Sequence, residues 1–91
     1  MKKAAKIIVK GNVQGVFFRD FVKENADSLG VKGFVRNIAD GGVEVIAEGE
    51  IEDIDILFES CKKGPKHSIV KETTIEEVPF QDFTEFKVLH I

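Results

Sequence analysis

The chain has 91 residues and a mass of 10.1 kDa, so we expect a single domain spanning residues 1–91. Hydrophobic residues make up 43% and charged residues 32%, a composition that excludes disorder and fibrous repeats. The net charge of −3 argues against binding nucleic acid through its phosphates, although a local basic pocket stays open.

The first half of the chain predicts a strand, a helix and a hairpin. Residues 5–10 contain a β-branched run that is typical of a buried strand. Gly30 is expected to end the helix in the left-handed conformation. Residues 33–38 and 42–48 flank Asp40-Gly41 and predict the two strands of a hairpin. The helix itself is predicted by four apolar residues at helical spacing: Phe18, Val22, Ala26 and Leu29.

The second half predicts one more helix and two strands. Residues 51–63 carry an apolar stripe, and Gly64-Pro65 ends that helix. Residues 68–78 predict a fourth strand, and residues 83–91 predict a fifth. The order is β-α-β-β-α-β plus a C-terminal strand, as in a ferredoxin-like α+β sandwich with two helices on one face of an antiparallel sheet. Many unrelated functions share this fold, so the order alone predicts no chemistry.

The N-terminal apolar run is too short for a membrane helix or a signal peptide. It consists of Ile7-Ile8-Val9 and is followed at once by Lys10, whereas a membrane helix requires ~20 apolar residues. We therefore expect a cytoplasmic protein that does not bind membranes. No pattern marks a coiled coil or a dedicated interface, so we also expect a monomer.

Cysteine and histidine give little support to redox or metal chemistry. Cys61 is the only cysteine, which excludes disulfides and Cys-x-x-Cys motifs, and its place on an apolar stripe indicates a buried core residue. His67 and His90 are isolated in the sequence, and we interpret them as surface or strand residues. We therefore expect no metal and no cofactor.

The connection between the first strand and the first helix has the composition of an anion site. A glycine-containing loop from Gly11 to Arg19 turns backbone N–H groups inward, and the helix start adds its unpaired N–H groups and positive dipole end. Arg19 supplies a planar, two-pronged donor at the junction. These parts together predict a phosphate cradle. By itself this local pattern more often belongs to a surface loop with a solvated arginine, which stays the alternative.

Asn37 is a second candidate, at the end of a predicted strand and just before a turn. Its carboxamide is able to orient a water molecule. An asparagine near a turn more often bonds its own backbone, so the residue alone favours a structural interpretation.

Two longer patterns make the sequence resemble the acylphosphatase family. Gly-x-Val-Gln-Gly-Val-x-Phe-Arg occupies residues 11–19, and Gly-x-Val-x-Asn-x-x-Asp-Gly-x-Val-x-x-x-x-x-Gly occupies residues 33–49. The resemblance extends over nearly the whole chain, including Gly64-Pro65. Two departures concern packing: Phe34 replaces a tryptophan that is frequent in the family, and His67-Ser68 replaces smaller residues.

The resemblance implies hydrolysis of small acyl phosphates to a carboxylate and inorganic phosphate, with phosphate or sulfate as competing ligands. It implies that Arg19 binds the phosphoryl group and that Asn37 orients the attacking water. Whether the side chain of Gln14 touches the ligand or braces the loop stays open. The resemblance further assigns phosphate binding to the backbone N–H groups of the loop: Gln14, Gly15, Val16, Phe17, Phe18 and Arg19.

Three other classes of protein share the predicted topology. A single-stranded RNA-binding module requires aromatic residues on its central strands, and the runs Ile7-Ile8-Val9 and Val43-Glu44-Val45 contain none. A metal chaperone requires paired cysteines in the first loop, which has none. The third alternative is an acylphosphatase-like accessory module of carbamoyl-transferring maturation proteins, which binds carbamoyl phosphate without general hydrolysis.

Overall fold

The computed structural model describes residues 1–90, and these residues form two helices and five strands. In chain order the elements are β1 (Lys2–Asn12), α1 (Phe18–Leu29), β2 (Lys32–Asn37), β3 (Val43–Glu50), α2 (Ile51–Lys63), β4 (Ile69–Val78) and β5 (Phe86–Leu89). The predicted ferredoxin-like α+β arrangement is confirmed. Ile91, the last residue of the predicted fifth strand, lies outside the described residues.

The five strands form one sheet in the order β4-β1-β3-β2-β5. The three pairs β1–β3, β1–β4 and β2–β3 are antiparallel, as predicted. The fifth strand differs from the prediction of an antiparallel sheet, because β5 runs parallel to β2 and the sheet is therefore mixed. The physical reason is the connection after β4, which crosses from one edge of the sheet to the other and reverses the direction of the chain.

The first and fifth strands differ most in length from the sequence prediction. β1 covers residues 2–12 instead of 5–10, because it lies between β3 and β4 and even its polar ends find ladder partners. β5 covers residues 86–89 instead of 83–91. The residues before β5 belong to the crossing connection. The N–H groups of Gln81 and Phe83 in this connection donate hydrogen bonds to the carboxylate of Glu48 in β3.

The core lies between the sheet and the two helices. Period-two alternation along the strands places small and β-branched side chains on the face that the helices cover. Burying each of the larger ones stabilises the fold by about 1.5–3 kcal/mol. Fully buried members from the strands and helices include Ile7, Val9, Val22, Ala26, Val35, Val43, Val45, Ala47, Ile54, Leu57 and Cys61.

The C-terminal end of α1 has the cap that the sequence predicts. Gly30 adopts a left-handed conformation (φ 72°, ψ 21°), and Val31 N–H donates to the carbonyl of Ala26 at 2.9 Å. The beginning of α1 is less usual, because its first residue follows Phe17, which is also left-handed although it is not a glycine (φ 60°, ψ 25°). This backbone geometry belongs to the loop between β1 and α1.

Candidate active site

An irregularity near the end of β1 precedes the loop between β1 and α1. The register of β1 against β4 shifts between Lys10 and Gly11, where φ is +136°. A Cβ atom at position 11 would collide with the carbonyl oxygen of Ile69, so only glycine allows this close approach of the two strands. After the shift Gly11 and Asn12 still pair with Val70 and Ile69, and the loop follows Asn12.

Both ends of the loop are anchored in the core. Val13 and Phe18 are each 1% exposed, whereas Gly15 and Phe17 between them are exposed to solvent. Gly15 (φ +72°) and Phe17 (φ +60°) are left-handed, whereas Val16 between them is not. Such alternation is the backbone pattern of anion-binding concavities.

The N–H groups of this loop are without partners in the chain. Within residues 1–90, the backbone N–H groups of residues 14–19 donate no hydrogen bond to another residue. The last two belong to the first turn of α1, where N–H groups lack a helical acceptor and the dipole is positive. Six consecutive N–H groups of the loop and the helix start are therefore unpaired within the described residues.

Gln14 ties the loop to the hairpin between β2 and β3. Its Nε2 donates to the carbonyl oxygens of Ile38 and Gly42, each at 2.9 Å. Both N–H donors of the amide are thereby used within the protein. Of the two roles that the sequence left open, these bonds favour the brace.

Arg19 is half-buried in the first turn of α1. Its Nη1 donates to the carbonyl oxygen of Leu89 at 2.8 Å, at the end of β5. A guanidinium carries five N–H donors in a rigid fork, so this bond fixes its orientation and leaves further donors available.

Asn37 is half-buried at the end of β2, where its backbone pairs with Val43. Its carboxamide makes no hydrogen bond with the rest of the described chain. The following turn is held by other groups, since Asp40 Oδ1 accepts from Gly42 N–H at 2.9 Å and Gly41 N–H donates to Ile38 at 3.1 Å. The structural interpretation, in which the Asn37 side chain shapes the turn, therefore finds no contact to support it.

A cleft of about 250 Å³ brings Arg19 and Asn37 together. Of the other predicted residues, Gly15, Phe17 and Phe18 also line the cleft, whereas Gln14 and Val16 do not. Val16 is half-buried and packs against the core. The full lining comes from the loop, α1, β2 and the residue after β5: Val13, Gly15, Phe17, Phe18, Arg19, Asp20, Asn37 and His90.

The lining contains residues that sequence reasoning missed. His90, which the sequence predicts to be a surface or strand residue, is exposed, and it also lines the cleft with Asp20. The carbonyl of Leu89, which accepts from Arg19, has no signature in the sequence. Only the parallel pairing of β5 with β2 brings the C-terminal residues to the site, and no local spacing signals that pairing.

Other chemical groups of the described chain lie apart from the cleft. Burial raises the pKa of the Cys61 thiol to about 12, which keeps it protonated and excludes a nucleophilic role at neutral pH.

Across residues 1–90, no three His, Cys, Asp or Glu side chains cluster closely enough to hold a metal ion. In the same residues, neither helix has the length and apolar character needed to cross a membrane.

Comparison with known proteins finds similar proteins over most of the chain. The acylphosphatase family model matches residues 5–88. An acylphosphatase of Marinobacter nauticus is 42% identical over 85 residues, which cover 92% of this chain and 92% of that protein. A solved acylphosphatase of Coxiella burnetii is 38% identical with a TM-score of 0.93, and the match covers 97% of this chain and 93% of that one.

A further match is a small part of a much larger protein. The structure of full-length HypF in its phosphate- and nucleotide-bound form is 30% identical to this chain, with a TM-score of 0.88. The match covers 99% of this chain and 12% of that one.

Proposed function

This chain belongs to the acylphosphatase family, and we propose that its cleft hydrolyses small acyl phosphates. In the reaction a water oxygen bonds to phosphorus, the bond between phosphorus and the carboxyl oxygen breaks, and a carboxylate and inorganic phosphate leave. One observation carries the mechanism. Arg19 and Asn37 line a single cleft beside a loop whose N–H groups have no partner in the described chain.

The phosphoryl group is held by the loop and Arg19. The backbone N–H groups of residues 14–19 donate to its oxygens, and the guanidinium adds charge-assisted bonds that are about twice as strong as neutral ones. The bond from Arg19 to Leu89 supports this role, because it orients the fork before substrate arrives. Loss of one preorganised donor of this kind costs on the order of 10²–10³ in rate in other enzymes.

Asn37 orients the attacking water. A carboxamide has one acceptor and two donors, so it is able to accept a hydrogen bond from water and donate one to a phosphoryl oxygen. The absence of a hydrogen bond between this carboxamide and the rest of the described chain supports the role. Phosphoryl transfer depends mainly on such positioning and on stabilisation of charge.

The leaving group explains why the cleft needs no general acid. A carboxylate is a weak base and departs without protonation, and a phosphoryl oxygen of the substrate accepts the proton of the water. His90 and Asp20 line the cleft but have no required part in this scheme. The proposed mechanism uses no metal ion and no cofactor.

The similarity to part of HypF keeps one alternative in view, a module that binds a phosphate compound without turnover. The relatives named acylphosphatase favour the enzyme, since the match covers 92% of the Marinobacter nauticus protein. A hydrolysis assay separates the two proposals. We expect turnover of acetyl phosphate and benzoyl phosphate, competitive inhibition by inorganic phosphate, and full activity after chelation of divalent ions. Phosphate binding without turnover would favour the binding module, and activity that returns only with added metal would contradict the mechanism.

A further inference from the structure

Phe17 presents an apolar side chain to solvent at the cleft. Its side chain is 81% exposed, although its neighbour Phe18 is 1% exposed. Large exposed hydrophobic side chains occur at five other described positions, and Phe17 alone of this group lines the cleft. The other five are Met1, Ile56, Ile69, Ile75 and Phe80.

Neither packing nor backbone geometry accounts for a phenylalanine at this position. The exposed ring gains little from burial. The backbone at Phe17 is left-handed (φ 60°, ψ 25°), a conformation that glycine or asparagine adopts with less strain than a bulky residue. A bulky apolar residue in a strained conformation at a cleft is a frequent mark of a functional position.

The geometry of the reaction leaves one part of the substrate without a binding group. In phosphoryl transfer the attacking and leaving oxygens lie roughly in line, on opposite sides of phosphorus. With water at Asn37, the acyl group leaves on a side of the cleft formed by other residues. Among the residues that line the cleft, Val13 and Phe18 are buried, so Phe17 provides the exposed apolar surface.

We propose that the Phe17 ring contacts the carbon skeleton of the acyl group and gives the enzyme a preference for flat, apolar acyl phosphates. This inference rests on the proposed function. An aromatic acyl group packs against the ring by offset stacking or edge-to-face contact, whereas an acetyl group offers a single methyl. Contacts of this kind correspond to about a two- to tenfold difference in rate at equal concentration.

The test compares benzoyl phosphate with acetyl phosphate as the ratio of their kcat/KM values. Both substrates carry the same phosphoryl group, so any disturbance of the cradle cancels in the ratio. Phe17→Ala removes the ring, and Phe17→Leu keeps an apolar side chain without it. Phe80→Ala is the matched control, because Phe80 is also exposed but lies in the connection between β4 and β5.

We expect the benzoyl-to-acetyl ratio to fall about two- to tenfold in Phe17→Ala, less in Phe17→Leu, and not at all in Phe80→Ala. An unchanged ratio in Phe17→Ala would overturn the inference while leaving the proposed function intact, since both substrates would still be hydrolysed. An equal fall in Phe80→Ala would also overturn it. If the unmodified protein hydrolyses neither substrate, the proposed function itself fails.

Discussion

Arg19 Nη1 donates a 2.8 Å hydrogen bond to the main-chain carbonyl of Leu89, which lies 70 residues further along the chain. Leu89 in turn pairs with Arg36 in the ladder between β5 and β2, and Asn37 is the next residue of β2. A single backbone ladder therefore links the carbonyl that orients the arginine to the strand that carries the asparagine. This arrangement fixes the two proposed catalytic side chains relative to each other without a direct contact between them.

Substitution of Arg19 tests the guanidinium fork. We expect Arg19→Ala to lower kcat/KM for acetyl phosphate by on the order of 10²–10³ or more, because a preorganised cationic donor is lost. Arg19→Lys keeps the positive charge but loses the two-pronged guanidinium that bonds the Leu89 carbonyl and phosphate oxygens together. We therefore expect this variant to be severely impaired as well. Steady-state kinetics and phosphate inhibition measure both effects.

Arg36→Ala is the matched control for charge. Arg36 Nε donates to Glu44 Oε1 at 2.7 Å, and Arg36 does not line the cleft, so its removal changes net charge equally. We expect lower stability and nearly normal turnover per folded molecule. Normal turnover in Arg19→Ala, or an equal loss in Arg36→Ala, would contradict the assignment of Arg19.

Gln14→Glu tests the brace between the loop and the hairpin. The change is nearly isosteric, but it removes both N–H donors and places a carboxylate against the carbonyls of Ile38 and Gly42. We expect the free energy of unfolding to fall by about 1–2 kcal/mol, measured by urea denaturation, with a loss of turnover as the loop loosens. Full stability of Gln14→Glu would show that the two bonds contribute nothing.

Cys61 provides a test at alkaline pH. Burial raises the pKa of its thiol from 9.0 to about 12, so the folded protein holds the neutral form. Below pH 9 the thiol is neutral in both the folded and the unfolded protein, so its ionisation does not affect the free energy of unfolding. Above that pH the unfolded thiol ionises first, so this contribution is lost as pH rises towards 12.

The Cys61→Ala variant isolates this effect, because the other titrating groups remain the same. The difference in unfolding free energy between the original protein and Cys61→Ala should shrink by roughly 1 kcal/mol per pH unit above pH 9. A thiol reagent at pH 8 should modify Cys61 only after unfolding. Rapid modification of the folded protein would contradict the described burial.

The sequence predicts the order of the elements well because most of them have strong local signals. The apolar stripe of α1, its end at Gly30 and the turn at Asp40-Gly41 each follow from residues close together in the chain. The glycine-containing loop before Arg19 likewise has a local signature. These features depend on local backbone preference and periodicity.

The parts that the sequence did not predict depend on contacts between distant segments. The parallel direction of β5 follows from the crossing connection that Glu48 binds, and Glu48 has the appearance of an ordinary surface residue in an alternating strand. The partner of Arg19 is a backbone carbonyl, which any residue at position 89 supplies. Such relationships have no local signature, so the sequence does not predict His90 at the cleft.

Substitution of Asn37 distinguishes a role in positioning water from a role in forming the turn. If the carboxamide orients water, Asn37→Ala should lower kcat by on the order of 10² and leave inhibition by phosphate nearly unchanged, because the amide acts on the nucleophile in the transition state. Asn37→Asp is nearly isosteric, but it removes both N–H donors and brings a negative charge to the phosphoryl group. It should therefore weaken phosphate binding as well as turnover.

The structural alternative predicts the opposite pattern, namely a lower melting temperature with normal turnover per folded molecule. The contacts argue against it, since the turn is held by Asp40 and by the bond between Gly41 and Ile38. Asn25→Ala is the matched control: Asn25 Nδ2 donates to the carbonyl of Phe21 at 2.8 Å within α1, away from the cleft. Melting temperature, phosphate inhibition and kcat are measured on the same samples of both variants. A fall in stability without a fall in turnover for Asn37→Ala would make Asn37 a turn residue and remove it from the mechanism.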